Sequence, residues 1–169
     1  MQTVGVISGS FDPITNGHAW LVAESSLLVD ELHVVMAVNP EKKYAFPEAK
    51  RLALVQTVID DLRLPVPVTV HVLGLVLLVD FAQSIGANRL IRGLRNSEDL
   101  AYERRMAQIN RKLCPKIPTI YVASPAALSD LSSSSVRSLL AIAGWERIVS
   151  DHVHPIVLEA LIQKEKANP

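Results

Sequence analysis

The chain has 169 residues, of which 49% are hydrophobic and 20% charged; that is enough apolar material for one packed domain and too much for a disordered chain. A single cysteine, Cys114, excludes an internal disulfide framework. Seventeen Lys and Arg balance 17 Asp and Glu, so the strongly basic character of a general nucleic-acid binder is missing.

Residues 4–7 read as a buried first strand ended by Ser8-Gly9-Ser10, and apolar Trp20, Leu21, Leu27 and Leu28 predict a helix over 17–29. Residues 32–38 form the second expected strand, stopped by Asn39-Pro40. Pro47 opens a helix running to residue 59, a position where its missing N–H costs nothing. A third strand over 66–73 and a helix over 77–85 follow. The apolar stretch 64–82 is interrupted by Pro65, Pro67, His71 and Asp80, a poor membrane span. Met1-Gln2-Thr3-Val4 carries no positive leading region, so the expected location is the cytoplasm.

The alternation then repeats, with a strand over 89–91, a polar-faced helix over 97–113, a strand over 119–123, and helices over 132–143 and 153–164. It predicts a single α/β domain over 1–169. That domain is Rossmann-like, with a five-stranded, mainly parallel sheet, helices on both faces and a C-terminal helical appendage. Ligands of such sheets bind beyond the carboxyl ends of the strands, so the loops after strands are the places to search for chemistry.

Charge is placed unevenly in the chain. The first 41 residues contain no Lys or Arg, whereas 89–116 holds eight basic residues against Glu98, Asp99 and Glu103. After the first strand comes Gly9-Ser10-Phe11-Asp12-Pro13-Ile14-Thr15-Asn16-Gly17-His18. Its glycines permit close backbone approach, and His18 sits where a helix begins and free N–H groups favour an anion. After the fourth strand, Arg92-Gly93-Leu94-Arg95 offers two guanidiniums that can fork onto phosphate oxygens. Asp99 and Glu103, four apart, share one helix face. The hydroxyls of Leu131-Ser132-Ser133-Ser134-Ser135-Val136-Arg137 begin a helix, where they serve either as caps or as a phosphate receptor.

Taken together, these blocks resemble the nucleotidyltransferases with a (His/Thr)-x-Gly-His motif. The Ile14-Thr15-Asn16 version, the 90–111 block, the Ser-rich segment, and Lys42-Lys43 with Phe46 and Arg51 are most similar to the phosphopantetheine adenylyltransferase family. The resemblance spans residues 4–137. It implies transfer of the adenylyl group of ATP, accompanied by Mg²⁺, to 4′-phosphopantetheine, giving dephospho-coenzyme A and pyrophosphate. Dephospho-coenzyme A and coenzyme A become expected product or feedback ligands, and a homohexamer the expected assembly. Neither nucleic acid nor membrane is an expected partner.

Roles follow from the same resemblance. His18 stabilises the α-phosphoryl transition state, Ser10 positions the acceptor phosphate, Lys42 bridges nucleophile and α-phosphate, and Arg92 helps hold the acceptor. Gly9, Phe11, Gly17, Gly93, Arg95, Asp99, Tyr102 and Glu103 belong to the ATP site. Leu131, Ser132, Ser133, Ser134 and Arg137 take the outer phosphates, and Leu77 and Leu78 flank the pantetheine arm. No protein-caged metal is expected. The chain departs from the family pattern at Ser10, where Thr is usual, and over Ala127-Leu128-Ser129-Asp130. Two other readings remain open: a nucleotidyltransferase with another acceptor (nicotinamide mononucleotide or glycerol phosphate), and a coenzyme-binding module without catalysis.

Overall fold

The computed structural model describes residues 2–128 and 132–167. Five strands, β1 (Val4–Gly9), β2 (Glu31–Ala37), β3 (Val68–Leu73), β4 (Arg89–Leu94) and β5 (Thr119–Ala123), form one sheet in the order β3-β2-β1-β4-β5. Every pairing is parallel. Helices α1 (Asn16–Ser26), α2 (Glu48–Asp61), α3 (Leu78–Ser84) and α4 (Ser97–Leu113) connect the strands. After β5 come a 3₁₀ turn (Ala126–Leu128), α5 (Ser133–Leu139), α6 (Glu146–Val149) and α7 (Pro155–Ala167). Adjacent parallel strands need such crossovers, because their ends lie a full strand length apart.

Side-chain alternation sorts the strand residues into two cores. Leu32, Val34 and Met36 of β2, with Ile7 and Ile91, face a larger cluster shared with α1, α2 and the C-terminal helices. Val35, Val4, Val6 and Leu90 face a smaller one completed by Val79 and Ala82 of α3. A strand buried on both sides loses its polar alternation, which is why these segments read as nearly continuous apolar runs. The expected C-terminal appendage corresponds to α6 and α7. Its residues Val149, Val157, Ala160 and Leu161 are buried in the larger core.

Two boundaries differ from expectation in ways that matter to the site. The fourth strand continues through Leu94, so Arg92 and Gly93 lie within β4 rather than in the loop after it. Helix α5 ends at Leu139 instead of near residue 143. His33 and His71 meet across β2 and β3 with a ring-nitrogen contact of 2.8 Å.

The sheet also explains where a crevice opens. β1 pairs with β2 along its whole length, from Val4–Glu31 to Gly9–Met36. It pairs with β4 only from Gly5–Arg89 to Ile7–Ile91. Beyond Ile7 and Ile91 the two central strands separate. This is also where the chain, having wound outward through β2 and β3, crosses to the other side of β1, the point at which ligands enter folds of this kind.

Candidate active site

A cleft of about 270 Å³ occupies that opening. Its lining brings together Gly9, Ser10, Gly17, His18, Arg92, Gly93, Arg95, Asp99, Glu103, Ser132, Ser133 and Ser134, all expected site residues that are scattered over more than half the chain. Ser8, Thr15, Leu21, Ile91, Ser124 and Leu128 complete it.

His18 is the third residue of α1. Its Nδ1 accepts the backbone N–H of the N-cap residue Thr15 at 3.1 Å and lies 2.8 Å from the Thr15 hydroxyl. An amide can only donate, so Nδ1 is unprotonated and the neutral ring carries its proton on Nε2. Burial, reinforced by the charges of Arg95 and then Arg92, holds the His18 pKa down to about 4. At neutral pH this side chain is therefore a neutral N–H donor aimed by its neighbour, not an imidazolium. Phe11 supports it from below, almost fully buried, with its ring edge-on to the imidazole at 5.0 Å. Phe11 holds a φ of +45°, unusual for a bulky residue and tolerated where surrounding packing enforces it. A Cβ on Gly9 would come within 3.2 Å of this ring, so the demand for glycine at residue 9 comes from Phe11. Phe11 thus acts beneath the cleft without lining it.

Arg92 spans the gap between the separated strands. Its Nε and Nη2 donate to the two carboxylate oxygens of Glu103, at 2.8 and 2.6 Å. Its Nη1 donates to the Ser8 carbonyl and hydroxyl, at 2.6 and 2.7 Å. A planar guanidinium held at both ends keeps little rotamer freedom, so it presents its charge in a fixed place. Glu103 is the only buried residue of α4. Its burial is offset by this pairing, since a carboxylate buried without a partner is costly. Arg95 makes the second fork, with Nε and Nη2 3.0 and 3.1 Å from Asp99, which also accepts the Arg95 backbone N–H. Gly93 allows α1 to press on β4, since a Cβ there would meet Leu21 at 3.0 Å.

Helix α5 closes the far wall. Ser132 caps it by accepting the Ser135 N–H at 3.0 Å. The Ser133 hydroxyl donates to the Pro13 carbonyl at 2.9 Å, and Arg137 Nη1 donates to the Asp12 carbonyl at 2.5 Å. Ser133 and Arg137 therefore dock α5 onto the first loop. Ser134 is exposed and lines the cleft, with Arg137 Nη2 3.3 Å from its hydroxyl.

The remaining expected residues lie outside the cleft. Lys42 is exposed on the loop after β2. Tyr102 is exposed on α4, Leu77 is exposed at the N-cap of α3, and Leu78 begins that helix half-buried. Leu131, together with Ser129 and Asp130 of the divergent stretch, falls outside the described residues. The sequence alone assigns no role to Thr15 or Ser8. A residue with a cap-forming hydroxyl three positions before His18 was the available signal for Thr15; the Ser8 contact had no local signal. Among the described residues no group of three or more His, Cys, Asp and Glu is placed to hold a metal ion, and no helix is long and apolar enough to cross a membrane.

Comparison with known proteins finds relatives of the chain. The sequence pattern of the cytidylyltransferase-like family matches residues 6–139. Phosphopantetheine adenylyltransferase of Hahella chejuensis is 39% identical over 165 residues, covering 97% of each chain. That of Chromobacterium violaceum is 39% identical over 148 residues, covering 88% of each. That of Alkaliphilus metalliredigens is 38% identical over 161 residues, covering 95% of this chain and 98% of its own. Among solved structures, a Plasmodium falciparum nicotinic acid mononucleotide adenylyltransferase complexed with NaAD superposes with a TM-score of 0.71 at 16% identity, over 96% of both chains. It shares the fold. With the split between β1 and β4, the forked arginines and these relatives in place, the chain belongs to the phosphopantetheine adenylyltransferase family, within the cytidylyltransferase-like group.

Proposed function

We propose that the protein transfers the adenylyl group of ATP to 4′-phosphopantetheine, forming dephospho-coenzyme A and releasing pyrophosphate. One observation carries the reading: a neutral, pre-aimed His18 donor and the clamped Arg92 face one cleft beside Ser10. A phosphate monoester, with a second pKa about 6, is already nucleophilic at neutral pH. An acceptor oxygen attacks the ATP α-phosphorus in line, the bond to the bridging β-phosphate oxygen breaks, and pyrophosphate leaves with those electrons. The protein's task is to align two anions and to stabilise charge growing on the α-phosphoryl oxygens.

In this reading, His18 Nε2–H donates to an α-phosphoryl oxygen throughout the reaction and need not lose its proton. Ser10 and Arg92 hold the acceptor phosphate, with Lys42 reaching the same point from its exposed loop. Arg95 and Asp99 shape the nucleotide side, and Ser134 with the α5 N-terminus takes the outer phosphates. Leu77 and Leu78 flank the pantetheine arm. Mg²⁺ enters as the counter-ion of ATP, because magnesium commonly keeps several waters and is held largely by substrate phosphates. The cytoplasm is the expected setting and a homohexamer the assembly, which sedimentation of the purified protein measures.

The test is pyrophosphate release from ATP and Mg²⁺ with each of three acceptors. Release with 4′-phosphopantetheine alone is expected. Release only with nicotinamide mononucleotide or glycerol phosphate would move the protein to another acceptor. Binding of ATP and 4′-phosphopantetheine without turnover would make it a coenzyme-binding module.

A further inference from the structure

Behind the cleft lies a buried cation that the chemistry above does not use. Arg51, on the first turns of α2, is 1% exposed, the largest fully buried side chain among the described residues. Its Nη1 donates to the Ser10 carbonyl at 2.8 Å. Its guanidinium carbon stands 3.8 Å from the centre of the Tyr44 ring. Among the described residues no carboxylate pairs with it, and its buried Nε finds no partner. Burying a guanidinium without a carboxylate is unfavourable, so a residue needed only to fill this space would be better apolar.

We propose that Arg51 is a positioning residue that yokes the Ser10 loop to the Lys42 loop through Tyr44. The inference rests on the adenylyl-transfer reading, in which Ser10 and Lys42 meet at the acceptor phosphate. Tyr44 is bound at both faces of the link. Its ring lies against Arg51, and its hydroxyl accepts the Asn39 N–H at 2.7 Å. The Asn39 carbonyl in turn accepts the Lys42 N–H at 3.1 Å, closing the turn that carries the lysine. Just beyond Tyr44, the Asp12 carboxylate takes the N–H groups of Ala45 and Phe46, at 2.8 and 3.0 Å. The lysine loop is thus tied to the first loop at two places, and Arg51 is the tie that reaches Ser10. An aromatic face is a suitable partner for a cation that must hold an exposed loop, because it attracts the charge without neutralising it.

The experiment uses the full chain and a double-mutant cycle of Tyr44→Leu with Lys42→Ala. Wild-type turnover of ATP and 4′-phosphopantetheine is measured first, and its absence defeats the functional reading rather than the yoke. Tyr44→Leu is expected to lower kcat at least about tenfold, with the KM for ATP within about twofold and the melting temperature nearly unchanged. In the Lys42→Ala background the same change should cost less than about twofold, because its target is already gone. Arg51→Lys, which keeps the charge and loses the planar fork, should behave like Tyr44→Leu. If Arg51→Lys fails to fold, the Tyr44 cycle decides alone. Independent, multiplying losses from Tyr44→Leu and Lys42→Ala, or full turnover in Tyr44→Leu, would overturn the proposal. Amide exchange gives a readout without turnover: Tyr44→Leu should speed exchange in residues 9–12 as well as 39–46. Faster exchange confined to 39–46 would overturn it as well.

Discussion

The inner wall of the cleft and its outer margin are built on opposite plans. In the cleft lining, His18, Arg92, Arg95 and Ser133 each hold a protein partner within hydrogen-bonding distance. Outside the cleft lining, Leu75, Val76 and Leu77 before α3 leave more than half of their surface in solvent. Groups that must meet developing charge gain from being fixed before substrate arrives, because no reorganisation is then needed at the moment of reaction. Groups proposed to recognise an apolar arm can remain open, since burial by the ligand is itself the favourable step. The inner wall is therefore where substitution should reduce kcat, and the open apolar residues before α3 where it should raise a KM.

The sharpest way to break this contrast is His18→Ala. Loss of a pre-aimed donor should lower turnover roughly 10²–10³-fold or more, with the fold intact by circular dichroism. Full activity would remove the inner wall from the chemistry. Glu103→Gln comes next. It leaves Arg92 with a neutral partner, and hydrogen bonds to charged groups contribute about 1.5–3 kcal/mol, so kcat/KM should fall roughly ten- to hundredfold. An unchanged rate would mean that Arg92 needs no clamp. At the margin, Leu77→Asp should raise the KM for 4′-phosphopantetheine about tenfold and leave that for ATP alone, by loss of apolar burial. A comparable rise for ATP would erase the distinction.

The smallest effect is one of pH. The His18 pKa is lowered to about 4 in the folded chain, below the ordinary value of 6.5. Between those limits the unfolded chain binds the extra proton, so this residue's contribution to stability is present above pH 6.5 and is lost as pH falls toward 4. Proton NMR of the free protein should show no His18 titration between pH 5.5 and 8, roughly the window in which an ordinary histidine changes charge. A transition near pH 6.5 would mean that the ring is not held in its neutral form.

Much of this was legible along the chain. The five strands and most of the helices between them are readable in the apolar pattern, and burial on both faces of a parallel sheet leaves little room for polar residues in Leu32 to Met36. The phosphate-directed chemistry was equally plain at Gly17-His18 and at Arg92, Arg95, Asp99 and Glu103. What the pattern concealed is how those charges are spent. As a helix face, Asp99 and Glu103 could equally have paired with Arg104 and Arg105. Instead they clamp Arg95 and Arg92, because β4 runs on to Leu94 and places both guanidiniums alongside α4. Arg51 read as one member of a motif, and nothing near it in the chain reveals that its side chain is buried against the Ser10 carbonyl.

The sequence by itself determined the element types, their order and the class of ligand, since these depend on the period of side chains and on charges within a few residues of one another. Only the tertiary structure decided which polar groups meet. Ser8 reaches Arg92 across 84 residues, and Ser10 reaches Arg51 across 41. The Ser8 contact exists because β1 lies at the centre of the sheet and parts from β4 two residues before its end, and the Ser10 contact because α2 packs beside the loop that follows β1. That arrangement arises from packing three layers together and leaves no periodic trace in any one segment.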